Sequence, residues 1–138
     1  MKWKNHQFGE FEYDEEHILT FPEGIIGFED CRRFILVNDE DSQPFRWLVS
    51  IEDEDLSLPL LDPHLLVPMY EAGRERKEDT TILAVATLSE NIEASTVNLR
   101  SPLIIKDNLR TGKQVVLEDD AYALQHPLFL SPQQSVKG

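Results

Sequence analysis

Thiol chemistry is almost absent from this chain: its 138 residues include one cysteine, Cys31. One thiol cannot close an internal disulfide or build a thiolate metal site, which agrees with a reducing compartment. Long apolar runs are missing too. No stretch approaches the roughly 20 residues that span a bilayer. The start, Met1 to His6, has no apolar segment after its charges, so neither a membrane helix nor a signal peptide is expected and the cytoplasm is the expected location. Reactive constellations are equally scarce. There is no Gly-x-Ser-x-Gly, and the four histidines lack metal-ligand spacing. Gly24 and Gly27 are spaced Gly-x-x-Gly, short of the dinucleotide fingerprint. Cys31 with His17 or His64 can be drawn as a thiol and base, but no third group supports the pair, and a lone cysteine beside aromatics is ordinarily packing. No catalytic, cofactor or metal-binding residue is assigned, and the chain is not expected to be an enzyme.

Positive charge is also in short supply. Thirteen basic side chains stand against 26 acidic ones, a net charge of −13. The imbalance is uneven: Met1 to Asp62 holds 16 acidic and 5 basic residues, whereas the remainder is close to balanced. Nucleic-acid binding draws much of its free energy from counterion release as Lys and Arg meet phosphates, so direct RNA or DNA binding is not expected. The same field can steer a basic protein inward and repel nucleic acid from it, although acidic residues on solvated strand faces also serve solubility.

What the chain does have is β-patterned sequence organised around Phe21 to Phe28, FPEGIIGF. Pro22 fixes its own φ, and Gly24 and Gly27 admit positive φ, so the segment must bend. Its aromatics and isoleucines argue for a buried corner between two strands. Phe8 to Asp14 alternates as a half-buried strand, and His17 to Phe21 reads as a second, with His17 sharing the face of Leu19 and Phe21. Arg33 to Asn38, apolar on both faces, reads as a central strand, and Phe45 to Ile51 as a strand with one buried face. Glu52-Asp53-Glu54-Asp55 is the densest charge run; leucines follow it where an EF-hand needs a glycine and a distal glutamate, so it is no calcium loop. Leu56 to Leu61 is expected to be an edge strand because of Pro59. Ala72 to Thr80 mixes signs as a surface loop or short helix.

Thr81 to Leu88 reads as a second central strand, whose alanines suggest close approach of another layer. Ser95 to Ser101 and Leu103 to Ile105 are strand-like, with a bend at Pro102. Asn108 to Gly112 is expected to turn the chain and Val115 to Leu117 to return it. Glu118-Asp119-Asp120 forms a second acidic knot, and residues 131–138 a loose tail. Short β runs with frequent turns and no internal repeat imply one all-β domain over residues 1–138, an antiparallel barrel-like fold.

Several segments together resemble the flagellar assembly factor FliW family: Phe21 to Glu29, Asp62-Pro63, Thr96 to Ile105 (TVNLRSPLII, with Asn98 and Pro102), Gly112 to Leu117, and Tyr122 with His126-Pro127-Leu128. The resemblance runs from about Phe8 to Leu130. It departs at the leucine-rich Leu56 to Leu61 and at the double acid Asp119-Asp120. It implies a cytoplasmic, non-enzymatic partner switch that binds flagellin and, when free, binds the repressor CsrA and keeps it from flagellin mRNA. In that setting Glu52, Asp53, Glu54, Asp55, Glu118, Asp119 and Asp120 are the candidate partner-binding residues. A generic acidic export chaperone for flagellin is the alternative.

Overall fold

The computed structural model describes residues 1–70, 79–118 and 122–128. Eleven strands carry these residues: β1 Lys2–Asn5, β2 Gly9–Glu12, β3 Ile18–Thr20, β4 Arg33–Asn38, β5 Arg46–Ser50, β6 Ser57–Leu61, β7 Thr80–Thr87, β8 Thr96–Val97, β9 Leu103–Lys106, β10 Thr111–Gln114 and β11 His126–Pro127. Among the described residues the only helical pieces are short 3-10 turns, and no helix is long and apolar enough to cross a membrane.

Seven strands close into a barrel in the order β7-β6-β5-β4-β3-β10-β9, with β9 pairing back onto β7. Its ladders are antiparallel except where β3 and β10 run parallel through Thr20 and Thr111. β8 extends from β7 and carries β11, while β1 and β2 form a separate hairpin. The Phe8 ring packs edge-on against Trp47, bringing the hairpin onto the β5 side of the barrel.

Strand alternation divides the apolar residues between two cores. Leu19, Phe21, Phe34, Leu48, Leu58, Leu60, Leu83, Leu103 and Ile105 fill the barrel. From β7 and β9 the alternate residues Ile82, Ala84, Ala86 and Ile104 form a second cluster with Tyr70, Val97 and Leu99. The small alanines do admit another layer: β7 is buried on both faces because its odd side chains point inward and its even ones meet the segments after β6 and β8. The Tyr70 hydroxyl donates to the Leu99 carbonyl, and its ring lies 4.6 Å from that of Tyr122. Burial, with the Tyr122 phenol nearby, raises the Tyr70 pKa well above the ordinary phenol value.

Several expectations are corrected. Leu56 to Leu61 is not an edge: β6 lies between β5 and β7. Pro59 is tolerated because Ser50 N–H donates to Leu56 O, which by alternation leaves Pro59 unbonded to Trp47 and turns its nitrogen toward β7, whose ladder with β6 covers only Leu60 and Leu61. β5 is buried on both faces, with Trp47 to Ser50 all inside. His17 does not share the core face. It ends a 3-10 turn, is exposed, and its Nδ1 accepts the Asp14 N–H. Gly112 turns nothing and sits in β10, where an added Cβ would lie 2.5 Å from two Phe21 ring carbons. The strand expected at Val115 to Leu117 falls earlier, at Thr111–Gln114. Val115 and Leu117 still donate to the carbonyls of Pro102 and Arg100, so the chain continues beside its neighbour irregularly. Pro102 marks the bend into β9, as expected.

Candidate interaction surface

The organising corner joins β3 to β4 by successive tight turns: Gly24 N–H donates to Phe21 O, Phe28 N–H to Ile25 O and Cys31 N–H to Phe28 O. Gly24 and Gly27 take φ of 75° and 92°, the positive values that glycine admits and that let the segment bend. Only half of the corner is interior. Phe21 and Ile25 are buried, but Ile26 is 61 % exposed and Phe28 39 %. The reason is local: the two left-handed glycines swing the Ile26 edge outward, where Gln114 Oε1 accepts its N–H at 2.8 Å. Ile26, Phe28 and Leu124 border a depression of about 300 Å³ with Thr87, Thr96 and Asn98 on its wall. The Asn98 carboxamide is committed to the turn before Pro102, accepting N–H bonds from Arg100 and Ser101.

The run Glu52 to Asp55 forms the turn between β5 and β6, with all four residues exposed. They are not equivalent. Glu52 Oε1 accepts main-chain N–H bonds from Arg32 at 2.7 Å and Arg33 at 2.9 Å, so this carboxylate fastens the corner's exit to the next turn. The Arg32 bond, ahead of a weaker opposing desolvation, holds its pKa below the ordinary carboxyl value. Asp53 caps Asp55 N–H, Asp55 pairs with His6, and Glu54 offers its main-chain carbonyl to His6 N–H. The Asp53 and Glu54 side chains remain outward. Glu118 is exposed on another part of the surface, while Asp119, Asp120, residues 71–78 of the mixed-charge segment and residues 131–138 lie outside the described residues. Cys31 lies in the barrel core, whereas His17 is on an exposed turn and His64 pairs with Asp62 at 2.8 Å.

A second depression, about 370 Å³, lies between the hairpin and the outer end of β4. Phe8, Phe11 and Tyr13 face Ile35, Leu36 and Val37 across it, with Arg110 and His17 at one end. Sequence reading missed it because the Lys-Trp-Lys-Asn start shows no long alternation, and nothing in the chain shows that a hairpin there covers β4. Arg110 is the one non-glycine residue among those described with positive φ, 53°. It is held by Thr20 N–H donating to its carbonyl at 3.0 Å and by its own Nη2 donating to His17 O at 2.8 Å.

The family model described as FliW protein matches residues 2–128. The chain belongs to the FliW family. A flagellar assembly factor FliW from Natranaerobius thermophilus is 39% identical over 140 residues, covering 94% of this chain and 93% of the relative. One from Thermosipho africanus is 38% identical, covering 90% and 93%. A crystal structure of the flagellar assembly factor FliW superposes with a TM-score of 0.87 at 28% identity, covering 96% of this chain and 99% of that one. The all-β barrel is thus a FliW fold, and FliW proteins are flagellar assembly factors, which is the role this chain's family membership carries.

Proposed function

We propose that this FliW-family chain is a non-enzymatic, cytoplasmic partner switch. It binds flagellin, and when free of flagellin it binds CsrA and keeps that repressor off flagellin mRNA. The observation that supports this most directly is the net charge of −13, most of it in the first half of the chain, combined with outward carboxylates at Asp53 and Glu54. A repressor that grips RNA presents Lys and Arg, so an acidic protein attracts it and competes electrostatically with the phosphates. Apolar surface supplies the affinity that exposed charges do not.

The test is co-purification of the pure protein with flagellin and with CsrA, separately and together, followed by release of flagellin mRNA from CsrA. The expected outcome is binding to each partner, mutual exclusion, and recovery of free mRNA. Capture of flagellin alone, with CsrA ignored, assigns the protein instead as a plain export chaperone. Tight binding of mRNA by the protein itself overturns the proposal.

A further inference from the structure

Strand β3 begins only at Ile18, opposite Ile35 of β4. Before that point the chain runs through the Glu15–His17 turn, so among the described residues Leu36, Val37 and Asn38 have a strand neighbour only on the β5 side. This unpaired end of β4 forms one wall of the 370 Å³ depression, and Phe8, Phe11 and Tyr13 form the other. A closed barrel otherwise spends its strand edges on itself; here a short piece of edge is left beside an aromatic wall.

The electrostatics of the mouth are one-sided. Glu10, Glu12, Asp14, Glu15 and Glu16 are all exposed along the hairpin and the turn that follows it. Ligand atoms of Asp14, Glu16 and His17 lie within 4.8 Å of one another, which concentrates negative potential at one end. Inside, the polarity reverses. Arg110 Nε is buried with no hydrogen-bond partner, and no carboxylate among the described residues lies within 4.0 Å of this guanidinium. This half-buried arginine keeps donors beyond its single bond to His17 O, which an incoming acceptor can take. A carboxylate would have to cross the acidic mouth, whereas a main-chain carbonyl would not.

We infer that the groove between the β1–β2 hairpin and the unpaired end of β4 docks an extended apolar segment flanked by Lys or Arg, presented by the basic partner. The segment lies along Leu36 to Asn38 as an added strand, one apolar side chain fills the aromatic-walled depression, a backbone carbonyl accepts from Arg110, and the flanking cations meet the hairpin acids. Main-chain pairing with side-chain pockets is a general way for an extended peptide to be held. The depression at Ile26, Phe28 and Leu124 is the rival surface. There the Gln114 side chain is already bonded to Ile26 N–H and to Ser101 O.

The inference rests on the proposed function, and the experiment separates the two. Backbone amide exchange is followed on the full chain alone, with CsrA and with flagellin. With CsrA, protection is expected in Phe8–Asp14 and Leu36–Asn38. Phe11→Ser and Arg110→Lys are each expected to weaken CsrA binding at least tenfold, with flagellin binding within twofold of wild type as the control for folding. Protection with CsrA confined to 24–28 and 124, or confinement of the hairpin signal to flagellin, overturns the groove while leaving the partner switch standing. No protection anywhere and no CsrA binding overturns both.

Discussion

Replacing Gly112 by alanine sets two effects of opposite sign against each other. An alanine in an unstrained strand position stabilises by roughly 0.4–1 kcal/mol, because the unfolded chain has fewer conformations to lose. Gly112 has no positive φ to forbid the change, so this gain is available. Against it, the new Cβ would stand 2.5 Å from both Cε2 and Cζ of Phe21. That ring cannot retreat: Phe21 is fully buried and meets Phe34 edge-on, with centroids 5.6 Å apart. Overpacking of this kind costs about 1–3 kcal/mol. The clash wins, leaving a net loss on the order of 1–2 kcal/mol, which lowers the thermal midpoint by about 3–8 °C for a chain of this length. The assay is chemical and thermal unfolding of wild type, Gly112→Ala, Phe21→Leu and the double variant. In the Phe21→Leu background the alanine has room and should be neutral or stabilising, so the coupling between the two changes should exceed ~1 kcal/mol. A Gly112→Ala protein as stable as wild type refutes the reasoning, because the ring would then be free to move.

Three further outcomes follow from the same geometry. Gly24→Ala should be more destabilising than Gly27→Ala by about 1 kcal/mol or more. Both break a positive φ, but only at Gly24 does the Cβ meet backbone, 2.9 Å from Glu29 Cα; equal midpoints in urea would refute this. Glu52→Gln should cost roughly 0.5–1.5 kcal/mol at neutral pH by weakening the bonds from the Arg32 and Arg33 amides. Because the folded pKa of Glu52 is lowered, its stabilisation is present above 4.5 and lost as pH falls through the folded value, so wild type and variant should converge in acid; a gap that persists there counts against the assignment. Asp53→Ser with Glu54→Ser should slow association with CsrA at low salt and leave it unchanged at high salt, measured by stopped-flow mixing; identical rates at low salt remove the turn from the encounter.

Legibility in the sequence followed chemistry that is local. β4 was readable because Phe34 to Val37 is continuously apolar with no breaker, and the bend at Pro102 because a proline fixes its own φ and cannot donate to a ladder. The left-handed glycines of the corner were readable for the same reason. What failed depended on the other side of the molecule. Thr111–Gln114 is polar and contains a glycine, and it becomes a strand because β9 supplies four paired positions and the barrel must close. Val115 to Leu117 looked the better strand, but Val115 and Leu117 pack against the second cluster and Val116 is exposed. Pro59 suggested an edge, yet its nitrogen faces β7 just past the last paired position, Leu60, where no bond is due. Glu52 was counted with the partner-binding acids, and only its distance to two amides from an earlier loop shows that it also braces the fold. The hydrophobicity of Ile26 and Phe28 was plain, while their outward direction came from turns that composition does not encode.

The parallel seam between β3 and β10 rests on a single register position, against two to five at every other joint of the ring. A hoop breathes at its thinnest stave, so transient opening should begin there, unfastening Thr20 from the Arg110 carbonyl before the leucine interior is wetted. Arg110 is thus both the hasp of the barrel and a wall of the groove, and whatever settles into that groove should tighten the whole ring.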